Sequence, residues 1–134
     1  MIAADASVAI AAFAPWHEHQ DAAQRALGQR PSIVAHAAFE TYSVLTRLPE
    51  QHRASASLVR EQLEDRFGDR WLGLTATALR LALTRLEELG ISGGATYDGL
   101  IGITAAASGA TLVSHDLRAL PTYQRVGADV EFVG

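Results

Sequence analysis

Four acidic side chains occupy positions at which the pattern of the chain gives them chemistry. Asp5 follows the short apolar run Met1-Ile2-Ala3-Ala4, and Asp116 follows Thr111-Leu112-Val113-Ser114 after one histidine. Glu40 falls near the start of a helical pattern in which Ala37, Glu40 and Val44 share a face; Asp98 opens another, with Ile101 and Ala105 three and seven residues on. A carboxylate on an apolar face is costly unless it is paired or bound to a cation. Four carboxylates within several ångströms of one another repel strongly in low-dielectric surroundings. Such a cluster persists at neutral pH only with cations, or with some acids protonated. Hard oxygen ligands in a chain without cysteine favour Mg²⁺, with Mn²⁺ as the alternative, over zinc. An acid cluster of this kind serves phosphoryl chemistry, in which the ion activates water and neutralises phosphate. Each acid also has a plain structural use. Asp5 and Asp116 can cap helices, and Glu40 and Asp98 can sit as charges at the positive end of a helix.

The elements that must position these acids alternate between strand and helix. The pattern predicts strands over Met1 to Ala4, Ser32 to Ala35, Thr111 to Ser114 and Val130 to Val133, with Trp71 to Leu74 as a short strand or a helix extension. It predicts helices over Ser7 to Phe13, His17 to Leu27, Ala37 to Leu48, Ala54 to Phe67, Ala76 to Leu89 and Ala95 to Ala107, and a short helix or turn over Leu117 to Arg125. Strands separated by helices pair in parallel, with helices on both faces. The expected fold class is therefore α/β, a three-layer α/β/α sandwich around a central, mainly parallel sheet. In such sheets ligands bind at the carboxyl ends of the strands, where Asp5 and Asp116 fall.

Composition narrows the chemistry further. The 134 residues are 49% apolar, and residues 1–134 are expected to form one domain. The absence of cysteine excludes disulfides, Cys-ligated metal and a thiol nucleophile. Every basic residue is arginine, which excludes P-loop, Schiff-base and Ser-Lys chemistry. The net charge of −4 argues against strong non-specific nucleic-acid binding. The apolar start is interrupted by Asp5 and carries no basic residue before Arg25, so it does not read as a signal peptide. No run is long enough to cross a bilayer. A cytoplasmic protein with no membrane partner is expected.

Other candidates carry less. His17 and His19, on a helix, would point about 200° apart and could not chelate together. Ser114, His115 and Asp116 are adjacent, so they cannot form a triad. His36 and His52 are left without a role. Trp16 and Trp71 are expected in the core or an interface. Arg118 could neutralise a phosphate, though it reads more simply as an exposed arginine. The apolar stripes of Ala54 to Phe67 and Ala76 to Leu89 mainly fill the core, with some area left for a dimer or partner.

Taken together, the chain resembles the PIN-domain nucleases, and within them the VapC-type toxins. The resemblance covers nearly the whole chain. It rests on Asp5-Ala6-Ser7 after the first strand, on Ala38-Phe39-Glu40-Thr41, on Thr96-Tyr97-Asp98-Gly99-Leu100-Ile101, and on Thr111-Leu112-Val113-Ser114-His115-Asp116-Leu117-Arg118 followed by Tyr123. It departs from the family at Gly99, where alanine is common, and at Ser114, where threonine is commoner. The resemblance implies a metal site at Asp5, Glu40, Asp98 and Asp116, with Ser7 and Ser114 supporting the acids or a metal-bound water. It implies Mg²⁺-dependent endoribonuclease activity leaving a 5′-phosphate, an RNA substrate, a cognate antitoxin and a homodimer.

Three other readings compete. One is a PIN-like RNA-processing nuclease without a toxin role. Another is an α/β phosphoryl-transfer enzyme with Asp5 as nucleophile; Ser7 and the lack of lysine count against it. The last is a non-catalytic interaction module whose acids are helix caps.

Overall fold

The computed structural model describes residues 1–134. Five strands and seven helices follow in the order β1 (Ile2–Ala4), α1 (Ala6–Phe13), α2 (Gln20–Gly28), β2 (Ser32–Val34), α3 (Ala35–Thr46), α4 (Ala56–Phe67), β3 (Trp71–Leu72), α5 (Ala76–Glu88), α6 (Ala95–Ala107), β4 (Thr111–Ser114), α7 (Leu120–Arg125) and β5 (Val130–Phe132). The strands form one sheet in the order β3-β2-β1-β4-β5. Every pairing is parallel, with Ala4 opposite Ile33 on one side and opposite Val113 on the other. The fold is the expected three-layer α/β/α sandwich.

This order positions the site. The chain runs outward from β1 through β2 to β3, then crosses back to place β4 on the other flank of β1. The connections leaving β1 and β4 therefore diverge at their carboxyl ends and open a crevice there. Asp5 leaves β1 at that point, and Ser114, His115 and Asp116 leave β4 beside it. The central strands are covered on both faces, which explains why Ala3, Ala4, Ile33, Val34 and Leu112 are all but inaccessible. Helix α1 is buried along most of its length because Ala6, Ala9, Ala11 and Ala12 allow close approach. No helix is long and apolar enough to cross a membrane.

Several local expectations shift. Helix α2 begins at Gln20, not His17: the His17 ring accepts a hydrogen bond from the His19 N–H through Nδ1 at 3.1 Å, a local bond that competes with helix geometry. Helix α3 begins directly after β2, at Ala35 and not Ala37, so Glu40 lies in its second turn and His36 in its first. Trp71–Leu72 is a true edge strand, paired only with β2. On α5 the apolar stripe is split: Ala82 and Leu86 are buried, whereas Leu79, Leu81 and Leu83 are 42%, 66% and 67% exposed. Trp16 and Trp71 are both largely exposed and do not belong to the core.

Candidate active site

Asp5 is 1% exposed and caps α1. Its Oδ1 accepts from the Ser7 hydroxyl at 2.6 Å and from the Val8 N–H at 3.2 Å. Its Oδ2 accepts from the Ser114 hydroxyl at 2.6 Å and from the Tyr123 hydroxyl at 2.8 Å. Two carboxylate oxygens offer about four lone-pair positions, and four donors meet them. Burial pushes this carboxyl above its usual range; the Ser114, Ser7, Tyr123 and Val8 donors pull it back.

Ser7 and Ser114 join the loops that leave β1 and β4. The Ser7 hydroxyl accepts from the His115 N–H at 2.8 Å and lies 3.4 Å from the Ser114 hydroxyl. Ser114 Oγ accepts from the Asp116 N–H at 3.0 Å. Tyr123, which the sequence pattern marks without giving it a role, completes this arrangement. It lies on α7, is 2% exposed, and has its hydroxyl pKa raised by burial and by the charge of Asp5.

The other three acids surround this buried knot. Asp116 Oδ1 accepts from the Arg118 and Ala119 N–H groups at 3.0 and 3.2 Å, capping the turn that leads to α7. Its Oδ2 receives the Arg118 guanidinium at 3.2 Å. The same guanidinium stands 3.7 Å from Asp98 Oδ2. Arg118 is thus mostly exposed, as its sequence suggested, and also bridges two of the acids. Asp98 lies in the first turn of α6; burial raises its carboxyl, Arg118 lowers it, and the charges of Asp116 and Asp5 raise it again. Glu40 Oε1 meets His36 Nε2 at 3.0 Å, one helical turn away. Burial raises its carboxyl, His36 lowers it, and Asp98 and Asp5 raise it. Glu40 therefore feels the charges of Asp98 and Asp5, and Asp98 those of Asp116 and Asp5.

They do not form a ready-made cage, since no three acidic or histidine side chains converge on a common point. The physical reason is visible in their partners. Asp5 is saturated by donors, Glu40 is held by His36, and Asp98 and Asp116 share Arg118. None of the four acids lines the five cavities of about 280 to 420 Å³ on the molecule. In donor chemistry the set is four hard carboxylates with too little positive charge around them, which fits a hard divalent cation.

The histidines differ from expectation. Off the helix, the His17 and His19 rings lie 5.7 Å apart, and His19 stacks on His115 at 5.1 Å. Neither buried ring nitrogen of His115 hydrogen-bonds Ser114 or Asp116, so His115 joins no triad with them, as its sequence position suggested.

A strand-end acid knot at the switch point of a parallel α/β sheet defines a class, and sequence comparison identifies it. The family model for the PIN domain matches residues 2–125. The chain belongs to the PIN-domain family. Ribonuclease VapC40 of Mycobacterium tuberculosis is 50% identical over 133 residues, spanning 99% of both chains. Ribonuclease VapC27 of the same organism is 36% identical over 139 residues, spanning 96% of this chain and 94% of that protein. Among solved structures, VapBC2 from Rickettsia felis, bound to a DNA fragment from their promoter, superposes with a TM-score of 0.66 at 17% identity, covering 98% of each chain. Identity of the first kind over the full length puts the chain with the VapC-type ribonucleases.

Proposed function

We propose that this chain is a metal-dependent endoribonuclease, the toxin of a type II toxin–antitoxin pair, hydrolysing phosphodiester bonds in RNA at Asp5, Glu40, Asp98 and Asp116. The observation that carries the reading is mutual strain. Glu40 and Asp98 come from helices far apart in sequence, yet both carboxyls are raised, first by burial and further by neighbouring acids, Asp98 and Asp5 for Glu40, Asp116 and Asp5 for Asp98. Acids needed only as caps have no reason to be gathered where they repel.

Glu40, Asp98 and Asp116 would hold the cation, Mg²⁺ or Mn²⁺, and Asp5 would join as one of its hydroxyl donors yields. A bound divalent ion supplies a water of lowered pKa and neutralises phosphate charge. The chain's own groups do the rest. Ser7, Ser114 and Tyr123 hold Asp5 in one orientation, and His36 holds Glu40. Arg118, tied to two carboxylates, is placed to transfer its guanidinium to a phosphate oxygen.

RNA is the substrate under this reading, and the cytoplasm is where the chain meets it. The solved VapBC2 assembly supports a cognate antitoxin as partner, and a tail carrying basic residues would suit the acidic crevice. The exposed leucines of α5 suit a homodimer or antitoxin contact. The helix-capping geometry of Asp5 and Asp116 favours a second reading, an interaction module without catalysis. The deciding experiment incubates the purified chain with structured RNA and Mg²⁺. Wild type cleaves, EDTA stops cleavage, and Asp98→Asn abolishes it while its melting temperature stays level or rises. Cleavage that survives in Asp98→Asn, or in excess EDTA, overturns the reading.

A further inference from the structure

The carboxylates address a phosphate, and no residue described above addresses the base attached to it. Tyr97 directly precedes Asp98 on α6, and His36 stands one turn before Glu40 on α3. Their rings stack, with centroids 4.9 Å apart and planes only 5° from parallel. This is the offset arrangement that aromatic faces prefer. The imidazole is fixed from its far edge as well, through Nε2 and the Glu40 carboxylate at 3.0 Å. Tyr97 nevertheless remains 54% exposed. The result is an aromatic ring clamped in one plane, on the rim between two of the four acids, with much of its surface open.

We infer that Tyr97, backed by His36, is the platform on which a nucleobase flanking the scissile phosphate stacks, so that it sets affinity and base preference while the acids carry the chemistry. The inference rests on the ribonuclease reading. Every base presents a π-face, and a ring already held in place loses little freedom when a base lands on it. Purines, with the larger face, should be preferred over pyrimidines. His36 is in this respect a positioning residue: it orients the tyrosine ring on one side and the Glu40 carboxylate on the other.

The test measures binding of a ten-nucleotide oligoadenylate RNA and of an abasic ribose–phosphate oligomer of the same length, by fluorescence anisotropy in the cold with Mg²⁺, with oligomer integrity checked on a gel. Wild type should favour the base-bearing oligomer. Tyr97→Ala should lose about 5- to 150-fold on it, the span of base–aromatic stacking, and nothing on the abasic one. Tyr97→Phe should retain the preference, and Tyr97→Leu, which keeps apolar bulk without a π-face, should lose it. If Tyr97→Ala binds both oligomers as wild type does, or loses equally on both, the platform is wrong. A wild type that cleaves RNA but shows no preference for bases sinks this inference alone. A wild type that neither cleaves RNA nor prefers bases sinks the ribonuclease reading with it.

Discussion

The Tyr123 hydroxyl donates to Asp5 Oδ2 at 2.8 Å, joining two residues 118 positions apart. It supplies one of four donors to a carboxylate that water does not reach. Tyr123→Phe removes that donor while preserving the ring. Because a hydrogen bond to a charged group contributes about 1.5–3 kcal/mol, the variant should lose that much unfolding free energy, its midpoint moving to lower urea with an unchanged dependence on denaturant. An unchanged midpoint would mean that the bond has no net worth.

Asp98→Asn gives a pH-dependent signature. The folded chain holds the Asp98 carboxyl above its ordinary value, chiefly through burial. Its charged form is therefore a liability of the folded state, present at neutral pH and relieved as pH falls through the raised folded value toward the unfolded one. In metal-free buffer, the variant should melt above wild type at neutral pH, and that gap should narrow as pH is lowered. A gap that widens in acid contradicts the assignment.

Arg118→Gln separates stability from cation binding. The side chain is 75% exposed, so its two ion pairs are strongly screened. Loss of folding stability should stay within about 0.5 kcal/mol. Freed of the guanidinium, Asp98 and Asp116 should take Mn²⁺ at lower concentration, read by loss of the free-ion EPR signal. Weaker Mn²⁺ binding would show that Arg118 orders the acids and does not compete for them.

Gly102→Ala should act on the site from a distance. A Cβ at Gly102 would lie 2.6 Å from Val126 Cγ2 and 3.4 Å from Tyr123 Cα, so the Val126 side chain must shift or α7 must move away from α6. Overpacking of this kind costs about 1–3 kcal/mol. If α7 is what gives way, the Tyr123 hydroxyl is drawn from Asp5, and the double variant Gly102→Ala/Tyr123→Phe should be less destabilised than the two single effects added together; strict additivity would mean that Val126 alone absorbs the methyl.

The parts of the site that sequence made legible are the ones with local signals. Asp5 and Asp116 follow short apolar strands, and the carboxyl end of a parallel strand is where a site belongs. Asp98 opens a long apolar helix. His36 stands four residues before Glu40, so a helix that starts at Ala35 puts the two on one face, whereas a strand through Ala35 and a helix from Ala37 leave His36 between elements. The short separation of His17 and His19 misled in the same way, because the ring-to-backbone bond that delays α2 has no signature in hydrophobic periodicity. Tyr123 had a weaker clue in the spacing of Ala119, Tyr123 and Val126 along one buried face. Nothing local, however, tells which distant carboxylate a buried hydroxyl will meet. Arg118 carried even less, because bridging two acids follows from how the loops after β4 and before α6 come together.

The Ser114 hydroxyl reaches Asp5 across 109 positions, on a strand that pairs with the first one. A ribosome adding about 5–20 residues per second delivers Asp5 and Glu40 long before β4 exists. Until Ser114, Asp116 and Tyr123 emerge, the nascent polypeptide has at most three of the four acids and neither of the late hydroxyls that hold Asp5. An acid cluster built this way stays incomplete on the translating ribosome until β4 and α7 have been made.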